Sequence, residues 1–244
     1  MEQQCPRCGA DLPPEERPPQ CPVCGTDLQA EAGEGIPFDD PVPYGFPAAL
    51  WQTWRGASLT PNAFYPRIPT SMSVGWPLLY ALLFWWFYAA ANVLIQQPVL
   101  RAMMAASPSQ ARIPAGFFET TPEMIAFQFA AGPFLFAALI LLASAAFHGL
   151  LYLVNGARPE FAVTLRTVCY TAGAYVAYLL PGLGPLLHPI WAVALLVVGL
   201  ARAHQTDTWR GAFAVILPTA ACCGVLVVFM MLAYAAVLGA LNLG

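Results

Sequence analysis

Four cysteines are written into two copies of one phrase. Residues 5–12 read CPRCGADL and residues 21–28 read CPVCGTDL, so Cys5, Cys8, Cys21 and Cys24 form a C-x2-C-x12-C-x2-C set. A C-x2-C pair brings two sulfurs to one ion from a single tight turn, and four thiolates suit the tetrahedral shell of Zn2+. Gly9 and Gly25 follow the second cysteine of each pair. Without a Cβ they let backbone N–H groups approach the sulfurs. The head holds no histidine, and a four-cysteine site is closed, with no position left for water or substrate. The expected role of the metal is therefore structural. Some 25 residues bury too little apolar area to fold alone, whereas zinc binding supplies roughly 10–16 kcal/mol.

The cysteine head sits on a very different chain. Of the 244 residues, 59% are hydrophobic and 9% charged, against about 25% charged in soluble domains. Nine of the thirteen acids lie within residues 1–69. All ten basic residues are arginine and the net charge is −3, which excludes nucleic acid as a main partner, because phosphate binding needs clustered cations. The first twenty residues lack a basic start, an apolar run and a cleavage site, so the head is expected to stay in the cytoplasm. Disulfides are then disfavoured.

Four regions are expected to position this chemistry. Residues 1–30 are the zinc ribbon. Residues 31–45, rich in Pro, Gly and acids, read as a semi-stiff linker with no packed core. In 46–68, Phe46, Leu50 and Trp54 recur every fourth residue, with Trp51 and Arg55 beside them. That pattern suits a short helix in the membrane interface followed by an elbow at Pro61 or Pro66; a loop packed on the protein is the alternative.

Residues 69–244 form an all-α body with about five transmembrane helices, at 74–95, 129–154, 167–180, 186–201 and 212–238, since about 20 apolar residues cross a bilayer. The sequence PGLGP at 181–185 divides the third from the fourth. Both halves are short, so a re-entrant hairpin competes with two crossings. With the head inside, eight arginines fall on inner segments and Arg101 and Arg112 outside, as the positive-inside rule requires. TTPEM at 120–124 carries a capped helix start, with Thr121 as cap and Pro122 in the first turn.

The apolar body offers no catalytic constellation. His148, His188 and His204 fall in separate segments, so a shared metal is not expected. Asn92 and Gln96, four apart on the first span, suit hydrogen bonds across helices, and His148 is a further intramembrane polar contact. Cys169, Cys222 and Cys223 read as small apolar residues.

Two resemblances add to this. The CPxCG knuckles resemble the short zinc ribbons found at the N-termini of bacterial membrane proteins, which are taken as protein-interaction modules. They are also similar to a rubredoxin knuckle, which leaves iron as an alternative metal. Residues 46–240 resemble the Yip family, named for Ypt/Rab-interacting proteins. The resemblance rests on ALWQTWRGASLTPNAFYPRIP and on HGLLYLVNGARPEFAVTLRTVCYTAGAYVAYLLPGLGPLLHPIWAVALLVVGLARAH. It implies a cytoplasmic N-terminus and about five spans. Eukaryotic members bind prenylated small GTPases in vesicle traffic, a partner that does not carry over to a bacterial-type chain.

The expected protein is a non-enzymatic scaffold of the bacterial inner membrane. Its ribbon would recruit an unidentified cytoplasmic protein, and its body would contact lipid and other membrane proteins, copies of itself among them. A small transporter or channel using the break at Pro181–Pro185, and a zinc or redox sensor, are the alternatives.

Overall fold

The computed structural model describes residues 3–4, 11–12, 23, 35–70, 73–106 and 120–242. The expected metal ligands Cys5, Cys8, Cys21 and Cys24, together with Gly9, Gly25 and most of the outer loop (107–119), lie outside the described residues. In the head, β1 (Gln3–Gln4) pairs antiparallel with β2 (Asp11–Leu12), Gln3 opposite Leu12 and Gln4 opposite Asp11. The remaining regular elements of the described chain are helical. The elements are α1 (Phe46–Leu59), α2 (Pro61–Phe64), a 3-10 turn (Tyr65–Arg67), α3 (Gly75–Ala91), a π-helical turn (Asn92–Gln96), α4 (Gln97–Ala105), α5 (Pro122–Ala130), α6 (Gly132–Leu153), α7 (Phe161–Thr171), a 3-10 stretch (Ala172–Leu179), α8 (Gly184–Ala203) and α9 (Thr208–Asn242).

Among the described residues, four helical stretches are long and apolar enough to cross a membrane: Gly75–Ala105, Gly132–Leu153, Gly184–Ala203 and Thr208–Leu232. The third expected crossing, 167–180, has another construction. It begins at Phe161, runs eleven residues as α7 and then eight as 3-10 helix. The 3-10 rise of about 2.0 Å stretches these nineteen residues to about 32 Å, the thickness of a bilayer core. Its two ends are fixed by contacts: Thr164 meets His148 and His204 at one end of the bundle, and Tyr178 meets Gln96 at the other. The segment therefore covers the distance between these two groups of contacts. It is also the most enclosed element, with every residue from Val163 to Thr171 buried, which is why it tolerates threonines and an arginine that a lipid-facing helix would not.

Prolines shape the other spans. At 129–154 the expected single helix is broken into α5 and α6 at Gly132 and Pro133. Pro133 has no N–H to give the carbonyl of Phe129. The Trp86 indole N–H donates to that carbonyl at 3.2 Å, and Trp85 donates to Gln128 O at 3.2 Å. The cap expected at Thr121 is present, its hydroxyl accepting from the Met124 N–H at 3.3 Å. In the first span the turn before Pro98 widens to a π turn, which relieves the clash between the proline ring and the carbonyl four residues earlier. α9 runs unbroken through Pro218 and starts ten residues before it.

α8 and α9 approach closely at Gly211. A Cβ there would lie 2.6 Å from the Val197 carbonyl oxygen, a backbone atom that cannot swing aside. Gly211→Leu should therefore cost about 2–3 kcal/mol by overpacking and lower the thermal midpoint in detergent. An unchanged midpoint would show that the two helices do not meet there.

Candidate functional site

The described part of the expected linker, from Gly35 on, is seated in the bundle through Ile36, Phe38 and Asp39. Ile36 and Phe38 are buried at 2% and 0% exposure. Phe38 packs edge-on against Phe46, Trp76 and Tyr80, and its N–H donates to the Thr53 hydroxyl at 3.0 Å. This apolar clasp carries Asp39 to Arg166 of α7. Arg166 NH1 donates to Asp39 Oδ2 at 2.9 Å, the Tyr170 hydroxyl donates to Asp39 Oδ1 at 2.6 Å, and Arg166 NH2 donates to the Ser73 carbonyl at the entry to α3. The Arg166 and Asp39 side chains are 0% and 4% exposed. Burial lifts the Asp39 carboxyl above its ordinary range, while the Tyr170 hydroxyl and the Arg166 guanidinium pull it back. The pair joins the N-terminal strap, α3 and α7.

Sequence reasoning placed Asp39 in a tether and counted Arg166 as one more inner arginine. The missed signals were local. Asp39 follows Ile36 and Phe38, apolar residues with no business in a solvated linker. Arg166 lies in TLRTVCYT, where Thr167 and Tyr170 fall one and four residues on. Thr167 satisfies its own hydroxyl on the Val163 carbonyl at 2.8 Å, leaving the arginine as the helix's buried charge.

A second polar group joins α6, α7 and the end of α8. The Arg158 N–H donates to His204 Nδ1 at 2.9 Å, so in the neutral ring Nε2 carries the proton. Nε2 then donates to Thr164 Oγ1 at 2.9 Å, and the Thr164 hydroxyl donates to His148 Nδ1 at 2.8 Å. Two histidines expected apart thus share one threonine. Among the described residues no three metal-ligating side chains come together, so this group is a hydrogen-bonded tie between helices. Burial, with His148 and Arg158 nearby, lowers His204 to about 4 from an ordinary 6.5. A buried neutral histidine that can charge only on unfolding stabilises the fold fully above pH 6.5, and that contribution is lost as pH falls toward 4. Between pH 7 and pH 5 the loss should be about 2 kcal/mol. His204→Gln should flatten the fall of the thermal midpoint over that interval; an equally steep fall in the variant would assign the pH dependence elsewhere.

The other expected residues are distributed as follows. Gln96 is buried; its amide donates to Tyr178 O at 2.7 Å and Leu180 O at 3.0 Å and accepts from the Gly182 N–H at 3.0 Å. It closes the turn at 181–183, where Gly182 takes a φ of +73° that other residues rarely adopt. This turn joins the 3-10 stretch to α8. Asn92 is half-buried and makes no part of that closure. His188 stacks on Tyr175 with ring centroids 4.3 Å apart. In α1, Trp51 and Arg55 are exposed, but Trp54 turns inward, stacks on Trp51 at 4.9 Å and donates its indole N–H to Gly173 O at 3.1 Å. α1 is therefore tied to the 3-10 stretch, and the elbow falls at Thr60–Pro61.

Long apolar helices, an internal composite segment and polar ties at the two ends define a small polytopic α-helical membrane protein. The model of the Yip1 domain matches residues 56–239, about three quarters of the chain, and the chain belongs to that family. No curated protein and no solved structure was found to match it.

Proposed function

We propose that the chain is a non-enzymatic membrane adaptor whose N-terminal ribbon, folded around one Zn2+, holds a cytoplasmic partner against the inner face of a bacterial cytoplasmic membrane. Cys5, Cys8, Cys21 and Cys24 would hold the ion, and the antiparallel pairing of Gln3–Gln4 with Asp11–Leu12 brackets the first knuckle as a ribbon hairpin would. The observation that carries the reading is the anchored strap. Because Ile36, Phe38 and Asp39 are seated in the bundle, only ten residues of sequence, 25–34, separate Cys24 from the strap that begins at Gly35. Ten residues reach at most about 35 Å. A partner on the ribbon is thereby kept at the membrane surface, at high local concentration for anything beside the bundle.

The inner-face orientation is supported by the arginines. Arg158, Arg202 and Arg210 meet at one end of the bundle, through Arg158 with His204, Arg202 with Asn62 and Arg210 with Asn155. That end also receives the N-terminal strap. Proximity labelling from the N-terminus in the native cell tests the adaptor role. A set of cytoplasmic proteins should be labelled by the natural chain and lost when Cys5 and Cys8 are serine. Identical sets would remove the ribbon from the mechanism.

A further inference from the structure

The turn between the last two spans borders an open cleft of about 460 Å3. Its polar lining is Arg202, Gln205, Thr206, Asp207 and Arg210, two guanidiniums against one carboxylate. Both arginines are held in place. Arg202 Nε donates to Asn62 Oδ1 at 2.9 Å, which fixes the plane of its fork. The Arg210 stem lies on Gly156, where a Cβ would meet its Cδ at 3.0 Å. Arg210 NH1 donates to the Asn155 carbonyl at 2.7 Å, while its Nε is buried without a hydrogen-bond partner, 3.7 Å from Asp207. α9, a 35-residue helix, begins at Thr208, next to Asp207 of the lining, so the positive end of its dipole lies beside them.

Depth narrows what such a cleft can take. The spans end at Ala203 and restart at Thr208, so the cleft lies at the level of the lipid headgroups. Trp209 and Phe213 are exposed one turn apart on α9, and the Arg210 guanidinium sits 5.5 Å from the Trp209 ring centre. A cationic cradle with exposed aromatics directly below it matches a phosphate with acyl chains attached. We infer that this cleft binds the phosphoryl group of an anionic phospholipid headgroup, with Arg202 and Arg210 as the recognising cations. This goes beyond the adaptor reading and does not depend on the ribbon.

The full chain in nanodiscs tests it, with native mass spectrometry reading the lipid retained and thermal unfolding reading stabilisation. In mixed phosphatidylglycerol and phosphatidylcholine, the natural chain should retain phosphatidylglycerol with a preference on the order of tenfold. Arg202→Gln and Arg210→Gln should each reduce that preference toward parity, and Arg101→Gln, an exposed arginine on α4 outside the cleft, should leave it intact. Arg202 is exposed and its bond to Asn62 is a single surface hydrogen bond, so its variant decides the matter if Arg210→Gln fails to fold. Inorganic phosphate in phosphatidylcholine discs separates the sources. Stabilisation by phosphate without phosphatidylglycerol preference would overturn the lipid assignment in favour of a soluble phosphate. No preference at all, or a preference lowered equally by all three variants, would overturn the site.

Discussion

Arg166→Met should destabilise the protein by about 3–5 kcal/mol, the usual consequence of leaving one member of a buried ion pair behind. The stranded group is Asp39, 6% exposed and already raised by burial. Without the guanidinium at 2.9 Å it keeps the Tyr170 hydroxyl and little else. It will then protonate or pull the strap out of the bundle, and both outcomes cost free energy. The pair itself need not be a large net stabiliser, because both ions were taken out of water to form it. Joining Asp39→Leu to Arg166→Met should therefore restore most of the loss. The measurement is a double-mutant cycle on thermal unfolding in detergent, with protease cleavage between residues 35 and 45 as a second readout. The single variant should expose that segment and the double variant should protect it again. Equal stability of the natural chain and Arg166→Met would mean that the strap is not seated on α7.

Cys5→Ser with Cys8→Ser carries the largest expected effect, confined to the head. On the adaptor proposal, four thiolates would supply roughly 10–16 kcal/mol of metal-binding free energy to a unit too short to bury a sufficient core. With two ligands gone, elemental analysis should fall from one zinc per chain to none, and the first 30 residues should become protease-sensitive. The helical body should keep its thermal midpoint, because its core, from Ile36 to Val215, contains none of the four cysteines. Iron in place of zinc would change the metal and leave the argument standing. Equal metal content in both forms would end the four-cysteine reading.

The sequence made the long spans legible because a bilayer imposes a length and an apolarity that survive any detail of packing. The breaker at 181–185 and the cap at Thr121 were equally plain, since glycine, proline and a capping hydroxyl act locally. What escaped was long-range. Asp39 and Arg166 are 127 residues apart, and no periodicity links a strap to a helix it will meet only after folding. The same holds for His148 and His204, brought to one threonine by three elements. The segment at 167–180 begins at Phe161 and ends in eight residues of 3-10 helix, whose longer rise apolar content alone does not reveal. Its threonines and single arginine marked it as enclosed, a signal that was present and pointed to burial.

The adaptor role is tested most directly by affinity capture of the full chain from native membranes, comparing the natural form with Cys5→Ser, Cys8→Ser. A cytoplasmic partner recovered by the first and absent from the second is the predicted result. The same partners recovered by both forms would contradict it.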